Sequence, residues 1–312
     1  MKGVCPMVSI LTNQVSVMLL LILAGMLCYK LRLLSDRGIK ELSAIVLQVV
    51  NPIVILLAYH RELEMRLVQN LLWTFLLSAV AMGAGIGLAT LLIRKKPGRE
   101  TAVERLSAVY SNCGFMGIPL VKALLGYEGV FYLTAFLTVF NLLIWTHGIM
   151  SISGSRNLRS LLHVLRSPAI LAIPLGMILF FGQITLPGFL TEALEQVAGM
   201  NTPLAMLVAG ATIAQGSLRS ALMQKRVYLI AAYKLLMMPL VTIGLFFALP
   251  VEHAVLTTVV LSMGAPTAIT CTLFAVQNGK NAGYASQLFA VSTVFSLLTL
   301  PLVGVLLEAI EK

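Results

Sequence analysis

Two apolar segments contain the residues whose types and spacing could do chemistry, SNCGFMGIPL at 111–120 and SMGAPTAI at 262–269. Proline removes a backbone donor and glycine lowers the cost of irregular torsion angles, so each Gly-x-Pro element predicts a break in a helix. A half-helix that begins at such a break presents the positive end of its dipole, which suits an anion. The predicted substrate-binding residues around the two breaks are Asn112, Gly117, Pro119, Gly264, Pro266, Thr267 and Thr270.

The two proline elements lie at similar depths in their helices. Pro119 follows Arg105 by fourteen residues and Pro266 follows His253 by thirteen. At a rise of about 1.5 Å per residue, both prolines lie roughly 20 Å from a helix end. We therefore expect a pair of crossed, broken helices, with half-helices beginning at Pro119 and Pro266. The alternative at each site is a simple proline kink in a continuous helix.

Lys234 is the basic residue placed deepest in an apolar segment. It lies in YLIAAYKLLMMPL, eight residues beyond Arg226, which puts it roughly 12 Å into the membrane. A cation inside a membrane is costly and points to a functional site, here a source of positive potential for a bound anion. The alternative is a lysine that snorkels to the interface or pairs with a backbone carbonyl at a helix break.

A second pair of motifs joins asparagine to proline. Asn51 and Pro52 stand in QVVNPIVILL, and Asn201 and Pro203 stand in AGMNTPLAMLV, 150 residues further on. The two asparagines are expected either to form a supporting polar layer beside the crossing or to make hydrogen bonds between helices.

The composition indicates whether these residues lie in water or in a membrane. Of the 312 residues, 59% are hydrophobic and 11% are charged, and the mean hydropathy is +0.95. Soluble domains have roughly 25% charged residues, so the chain is predicted to be an all-α integral membrane protein. Apolar windows predict ten transmembrane helices, at 10–29, 40–59, 68–93, 104–125, 129–150, 167–184, 190–217, 227–249, 253–276 and 284–308.

Basic residues are distributed unevenly among the predicted loops. The loops after helices 1, 3, 5, 7 and 9 carry sixteen of the 22 Lys and Arg residues. Basic loops stay in the cytoplasm, so both termini are predicted outside, in a plasma or inner membrane. The net charge of +10 then reflects topology and contact with membrane lipid, not nucleic-acid binding.

The matched motifs divide the chain into two similar halves. The Asn-Pro elements are 150 residues apart and the Gly-x-Pro elements are 147 residues apart. This spacing predicts that a unit of five helices occurs twice in the chain. Because five is odd, the second copy enters the membrane from the opposite side, and the halves are inverted repeats. The predicted units are 1–150 and 167–312, joined by a basic cytoplasmic linker at 151–166.

These motifs resemble those of bacterial members of the auxin efflux carrier family. The resemblance rests on SNCGFMGIPL, the two Asn-Pro elements, YKLLMMPL and GAPTAITCTLFA, which occur in the family's order and span nearly the whole chain. The family includes plant PIN auxin exporters and bacterial carriers of malonate or malate type. The long hydrophilic central loop of many plant members is missing here.

The resemblance implies a ten-helix transporter, similar in fold to bile acid symporters and to crossed-helix sodium/proton antiporters. Helices 1, 2, 6 and 7 would form a scaffold through which relatives form homodimers, and helices 3–5 and 8–10 would form a transport part that moves. In PIN-like members an asparagine seven residues before the helix 4 proline contributes to the substrate site, and Asn112 and Pro119 have that spacing. In helix 9 this sequence has no clear polar counterpart.

Three functions are weighed for this chain. The first is a secondary transporter, an efflux carrier or permease, of a small organic anion such as a carboxylate, working by alternating access at a midplane site. The second is a sodium- or proton-coupled cation exchanger or a bile-acid-symporter-like carrier; an exchanger needs buried carboxylates, whereas the Glu residues lie near predicted helix ends and Asp36 is the last Asp. The third is an intramembrane enzyme, for which acid and metal motifs are missing. The sequence favours the anion carrier and predicts neither metal nor cofactor.

Histidine and cysteine residues are interpreted more simply. His147, in IWTHG, is expected either to titrate during transport or to be an interfacial histidine. The cysteines show no CxxC spacing, which favours packing residues over disulfides or metal ligands; they are Cys5, Cys28, Cys113 and Cys271.

Overall fold

The computed structural model describes residues 6–154, 167–216, 221 and 223–311, which form a bundle of α-helices. In chain order the helices are α1 Pro6–Lys30, α2 Asp36–Tyr59, α3 Met65–Leu92, α4 Thr101–Val109, α5 Cys113–Ser153, α6 Pro168–Gly182, α7 Gly188–Gln215, α8 Lys225–Phe246, α9 His253–Gly264, α10 Ile269–Gln277 and α11 Ala282–Glu311. The predicted linker lies outside the described residues from 155 to 166. So do Cys5, His163 and six basic residues used to predict orientation: Lys2, Arg156, Arg159, Arg166, Arg219 and Lys312.

Long apolar helices dominate the described part of the chain. Helices α1, α2, α3, α5, α7, α8 and α11 contain stretches long and apolar enough to span a membrane, and α6 and α9 are shorter apolar helices. The chain is therefore a multi-pass membrane protein, as its composition predicts. The ten predicted spans overlap these helices, and two of them, 104–125 and 253–276, are each divided between two helices.

Helix α5 changes direction at Gly126. A straight helix of its 41 residues would be about 60 Å long, roughly twice the hydrocarbon thickness of a bilayer. At Gly126 φ is 61° and ψ is −151°, a conformation that essentially only glycine adopts. The chain is redirected there, between the predicted spans that end at 125 and begin at 129.

Three prolines in the apolar helices follow wide, π-helical turns. Each turn ends two residues before its proline: Val46–Val50 before Pro52, Cys113–Gly117 before Pro119, and Tyr233–Met237 before Pro239. Proline has no N–H and its ring crowds the carbonyl four residues earlier, so a turn with wider hydrogen bonding relieves both problems without a break. A proline at these positions therefore marks a π turn and not the start of a half-helix.

The two helix breaks lie at different positions in the chain from those predicted. Helices α4 and α5 are separated by residues 110–112, so Pro119 lies inside α5, after the π turn. Helices α9 and α10 are separated by residues 265–268, and Pro266 lies within that link. The prediction that half-helices begin at Pro119 and Pro266 is wrong. Pro119 lies within a helix, where a π turn accommodates it, and Pro266 lies in the unwound link before α10.

Helix α1 packs closely against the second part of α7, Asn201–Gln215, and the end of α2 packs against α6. At the α1–α7 contact, a Cβ on Gly25 would meet the backbone of Leu207, and a Cβ on Gly210 would meet the carbonyl of Ile22. Glycine at both positions lets the two helices touch backbone to backbone, as small residues do in membrane bundles.

The remaining helices pack around α5 and α9, and ion pairs between them lie near the two ends of α3. At one end Arg226 of α8 makes two hydrogen bonds, of 2.9 and 2.8 Å, to Glu104 of α4, whose side chain is 2% exposed. At the other end Arg66 of α3 contacts Glu128 of α5 at 3.1 Å and Glu252, next to α9, at 2.9 Å. These pairs tie together the helices that surround the two breaks.

Candidate functional site

The two unwound links pair with each other as a short antiparallel β bridge. The backbone N–H of Asn112 donates to the carbonyl of Pro266 at 2.7 Å, and the N–H of Ala268 donates to the carbonyl of Tyr110 at 2.9 Å. Unwound backbone in a membrane protein must find partners within the protein. The crossing supplies these partners, because each link forms hydrogen bonds with backbone groups of the other link.

Thr267, predicted to contact substrate, is bonded within the crossing. It pairs with Ser111 in the β bridge, its N–H donates to Ser292 Oγ at 3.1 Å, and its hydroxyl donates to the carbonyl of Ser107 at 2.8 Å. The side chain is 1% exposed. Thr267 therefore holds the second link against α4 and α11, and its hydroxyl has no access to the cavity beside the crossing.

Lys234 lies at the crossing but is fully buried. Its Nζ donates to the carbonyls of Val109 at 3.0 Å and Met263 at 2.9 Å, and to the hydroxyl of Ser111. Val109 ends α4, and Met263 lies in the last turn of α9, so the Lys234 amino group satisfies carbonyls at two helix C-termini. Pairing with backbone carbonyls at a helix break, the alternative role of Lys234, is confirmed, and the side chain makes no contact with the cavity.

A cavity of about 270 Å³ adjoins the crossing. Ligand pockets typically measure roughly 300–1,000 Å³, so this one suits a small molecule. Its wall includes the first residues of both half-helices, 113–115 of α5 and 269–270 of α10, and the polar side chains in the wall are those of Asn51, Ser111, Asn112, Asn141, Ser167 and Thr270. The N–H groups that begin a helix lack intrahelical partners, so two positive dipole ends lie beside one cavity.

Asn112 precedes α5 as its N-cap residue but does not cap the helix with its side chain. Such an asparagine normally accepts a hydrogen bond from an N–H of the first turn. Here the backbone carbonyl of Asn112 accepts from Met116 and Gly117, at 2.9 and 3.3 Å. Because Asn112 lines the cavity and its amide is not used by the helix, that amide is available to a molecule in the cavity.

Asn51 and Asn201 form a direct hydrogen bond between α2 and α7. Asn201 Nδ2 donates to Asn51 Oδ1 at 2.6 Å, and Asn51 Nδ2 donates to the carbonyl of Gly114 in the first turn of α5 at 3.2 Å. Asn51 lines the cavity, while Asn201 Oδ1 is buried without a hydrogen-bond partner in the described part of the chain. The pair forms a polar chain from α7 through α2 to the crossing.

The other predicted site residues lie outside the cavity wall. Gly264 packs against Pro239, whose ring would lie 3.3 Å from an added Cβ, and Gly117 lies in the π turn of α5. Of the predicted substrate-binding residues, Asn112 and Thr270 line the cavity; Gly117, Pro119, Gly264, Pro266, Thr267 and Lys234 do not, and neither do Pro52 and Pro203 of the second motif pair.

Two cavity residues of α5, Asn141 and Trp145, were not predicted from the sequence. Asn141 Nδ2 donates to the carbonyl of Leu137 at 2.8 Å, and the indole ring of Trp145 packs edge-on against Phe274 at 5.1 Å. A polar residue within the apolar run TVFNLLIW was a usable signal, because polar side chains in membrane helices tend to be functional. Whether the Asn141 side chain points into the cavity, however, depends on how α5 packs.

The cavity wall is electrically neutral. Within residues 6–154, 167–216, 221 and 223–311, no Asp, Glu, Lys, Arg or His side chain lines it, and no group of three His, Cys, Asp or Glu residues could hold a metal ion. Its electrostatic character therefore comes from amide and hydroxyl groups and from the two helix N-termini.

Comparison with known proteins gives two matches. A family model described as membrane transport protein matches residues 9–159 and again residues 156–303. The chain is also similar to an uncharacterized transporter of Methanothermobacter thermautotrophicus, with 26% identity over 304 residues that cover 95% of this chain and 98% of that relative. The two family matches meet inside the linker predicted at 151–166.

Proposed function

Because the chain belongs to the membrane transport protein family, we propose that it is a secondary transporter of a small organic anion, most simply a carboxylate. The family match confirms the resemblance to auxin efflux carriers that the motifs indicate. A carrier needs a binding site that faces each side of the membrane in turn, but no covalent chemistry. We therefore assign the protein no catalytic role.

One observation carries the proposal. The first turns of α5 and α10, together with the unused amide of Asn112, line the same cavity. Two helix N-termini favour negative charge, and neutral amide and hydroxyl donors can bind a carboxylate without holding it by a full ion pair. Such a site binds an anion and can also release it, which transport requires.

We propose that the helices form ten membrane crossings in two inverted repeats, around crossed broken helices 4 and 9. Helices 1, 2, 6 and 7 of that arrangement, here α1, α2, α6 and α7, would be the scaffold. The others would move as one transport part, a proposal supported by the ion pairs of Arg226 with Glu104 and of Arg66 with Glu128 and Glu252. Alternating access would follow from movement of the cavity's α5 wall past Asn51.

The proposed orientation follows the basic loops, with both termini outside a plasma or inner membrane. The cavity wall extends to Ser167, Ala169 and Ile170 at the start of α6, which the orientation puts on the cytoplasmic side. We therefore propose that the structure represents an inward-facing state. Membrane lipid and, through the scaffold, a second copy of the chain are the proposed partners.

The cation-exchange alternative is less well supported by the site. An exchanger of protons for sodium needs buried carboxylates at its crossing, whereas the buried Glu104 is paired with Arg226 at a helix end. The cavity wall itself offers neutral donors to a ligand. We therefore keep the anion carrier as the proposed function.

A ligand screen on the purified protein in detergent tests the proposal. Thermal unfolding is measured with lactate, benzoate, malonate, indole-3-acetate and sodium, for the unmodified protein and for Asn112→Ala. A ligand at about 100 times its Kd adds roughly 2.7 kcal/mol of apparent stability. We expect at least one carboxylate to stabilise the unmodified protein, and Asn112→Ala to bind it about tenfold or more weakly, since a hydrogen bond to a charged group contributes roughly 1.5–3 kcal/mol.

Asn278→Ala is the matched control. Asn278 donates to the carbonyl of Phe274 at 2.9 Å at the far end of α10 and lies outside the cavity wall. The control should keep the carboxylate effect. A melt that responds to sodium and to no carboxylate would favour the cation exchanger, and equal affinity in Asn112→Ala would remove Asn112 from the site.

A further inference from the structure

His147 is a titratable side chain that the proposed function does not yet use. It lies in the π turn Ile144–Gly148 of α5, two residues after the cavity-lining Trp145. Its hydrogen-bond partner Tyr110 belongs to the first unwound link, where the Tyr110 carbonyl accepts the N–H of Ala268 across the crossing. A titratable group is thus one hydrogen bond away from the crossing.

The hydrogen bonds around His147 determine its tautomer. The Tyr110 hydroxyl donates its single hydrogen to the carbonyl of Leu143 at 2.9 Å, and the same oxygen lies 2.9 Å from His147 Nδ1. With the Tyr110 hydrogen directed at Leu143, Nδ1 carries a hydrogen and donates it to Tyr110. Ser151 Oγ lies 3.1 Å from His147 Nε2, so in the neutral ring the serine hydroxyl donates to Nε2. Both ring nitrogens are therefore bonded in the neutral form.

This arrangement can take up a proton without losing the bond to Tyr110. A proton from water binds the Nε2 lone pair, and the new N–H donates to Ser151 Oγ. The serine hydrogen turns to the carbonyl one helical turn earlier, a bond that helical serines readily make. Nδ1 keeps its hydrogen and its partner, so the change adds one positive charge with little rearrangement.

The surroundings of His147 link its charge to the cavity. From α4, Arg105 lies near the ring, held by hydrogen bonds to the carbonyls of Ile93 and Thr90; from α10, Cys271 lies near Tyr110. The positive charge of Arg105 opposes a second positive charge on His147. An anion in the neighbouring cavity supplies the opposite charge that makes proton uptake favourable.

We propose that His147 is the proton-binding site that couples substrate binding to proton uptake, so that anion and proton bind cooperatively. The inference rests on the proposed anion site and adds the coupling ion to it. Cooperativity is reciprocal, so the anion strengthens proton binding by the same factor by which the proton strengthens anion binding. The protein would then carry a proton together with each anion.

The test uses the full chain in detergent and the monocarboxylate probe, among lactate, benzoate and indole-3-acetate, that stabilises it most. Its Kd is measured from about pH 6.5 to about pH 8.5, a range in which carboxylates with pKa values near 4 remain ionised. We expect affinity to rise about fivefold or more toward the lower pH, in line with typical coupling factors. In His147→Gln the affinity should be independent of pH.

His60→Gln is the matched control, because His60 bonds to the N–H of Leu186 and lies outside the cavity wall; it should keep the pH dependence. A second measurement needs no variant: adding the probe to the unmodified protein in weak buffer should take protons from solution. Binding that is independent of pH, or pH dependence that persists in His147→Gln, overturns the proton site while the carrier stands. If no carboxylate binds at any pH, the proton site and the carrier both fail.

Discussion

The two unwound links at the crossing have similar backbones but different side-chain roles. The first link ends with Asn112, whose amide is left unused by its own helix and lines the cavity. The second link contains Thr267, whose N–H and hydroxyl are both bonded to neighbouring helices. We infer that the first link recognises the ligand, and that the second mainly holds the crossing together.

The two links therefore share a backbone arrangement but not their side-chain contacts. The β bridge and the two half-helices give the links a common backbone arrangement around the cavity, whereas their side chains make different contacts. Lys234 serves both links, because it bonds to the carbonyls of Val109 and Met263 at the two helix ends. Three substitutions test this division, in order of decreasing expected effect.

Lys234→Met should have the largest effect, and its effect should be on stability. The variant leaves two buried carbonyls and the Ser111 hydroxyl without their donor, and each such group costs roughly 1–3 kcal/mol. We expect a loss on the order of 3 kcal/mol or more, measured as a lower midpoint of thermal unfolding in detergent.

Lys122→Met is the control, since Lys122 bonds to the hydroxyl of Tyr127 near the Gly126 turn, away from the crossing. It should change the unfolding midpoint much less. If Lys234→Met unfolds like the unmodified protein but loses carboxylate binding, Lys234 belongs to the ligand site and not to the support of the two links.

Thr267→Val should have an intermediate effect, again on stability. The replacement keeps the shape of the side chain but removes the donor to the Ser107 carbonyl, which costs about 1–3 kcal/mol when the acceptor stays buried. Carboxylate affinity, measured by titration of the folded variant, should be nearly unchanged.

Thr257→Val provides a closely matched comparison in α9. Thr257 is also fully buried, but its hydroxyl has no hydrogen-bond partner among the described residues. Its replacement should be neutral or slightly stabilising. A Thr267→Val variant of normal stability but much weaker affinity would contradict the division of roles between the two links.

Pro119→Ala should have the smallest effect. Pro119 lies inside α5, after the π turn, so the break at residues 110–112 does not depend on it. Alanine suits a helix, and the change in unfolding free energy should stay within about 1 kcal/mol. Carboxylate affinity should also be kept; its loss would show that the proline positions Asn112 through the π turn.

Much of the architecture follows from composition and local pattern. Apolar windows predict the helices because the bilayer demands long apolar segments, and the observed helices overlap the predicted spans. The Gly and Pro residues of 111–120 and 262–269 correctly mark the neighbourhood of the two breaks, and Asn112 and Thr270 do line the cavity.

The sequence by itself determined a multi-pass helical protein with two interrupted helices, because apolar length and helix-breaking residues act locally. Only the tertiary structure decided where each break lies and which side chains face the cavity. Pro119 tolerates either a π turn or a break, and the choice depends on backbone partners about 150 residues away in sequence, at Pro266 and Ala268. The same holds for Lys234, since a buried lysine faces whichever unsatisfied carbonyls the packed helices bring to it.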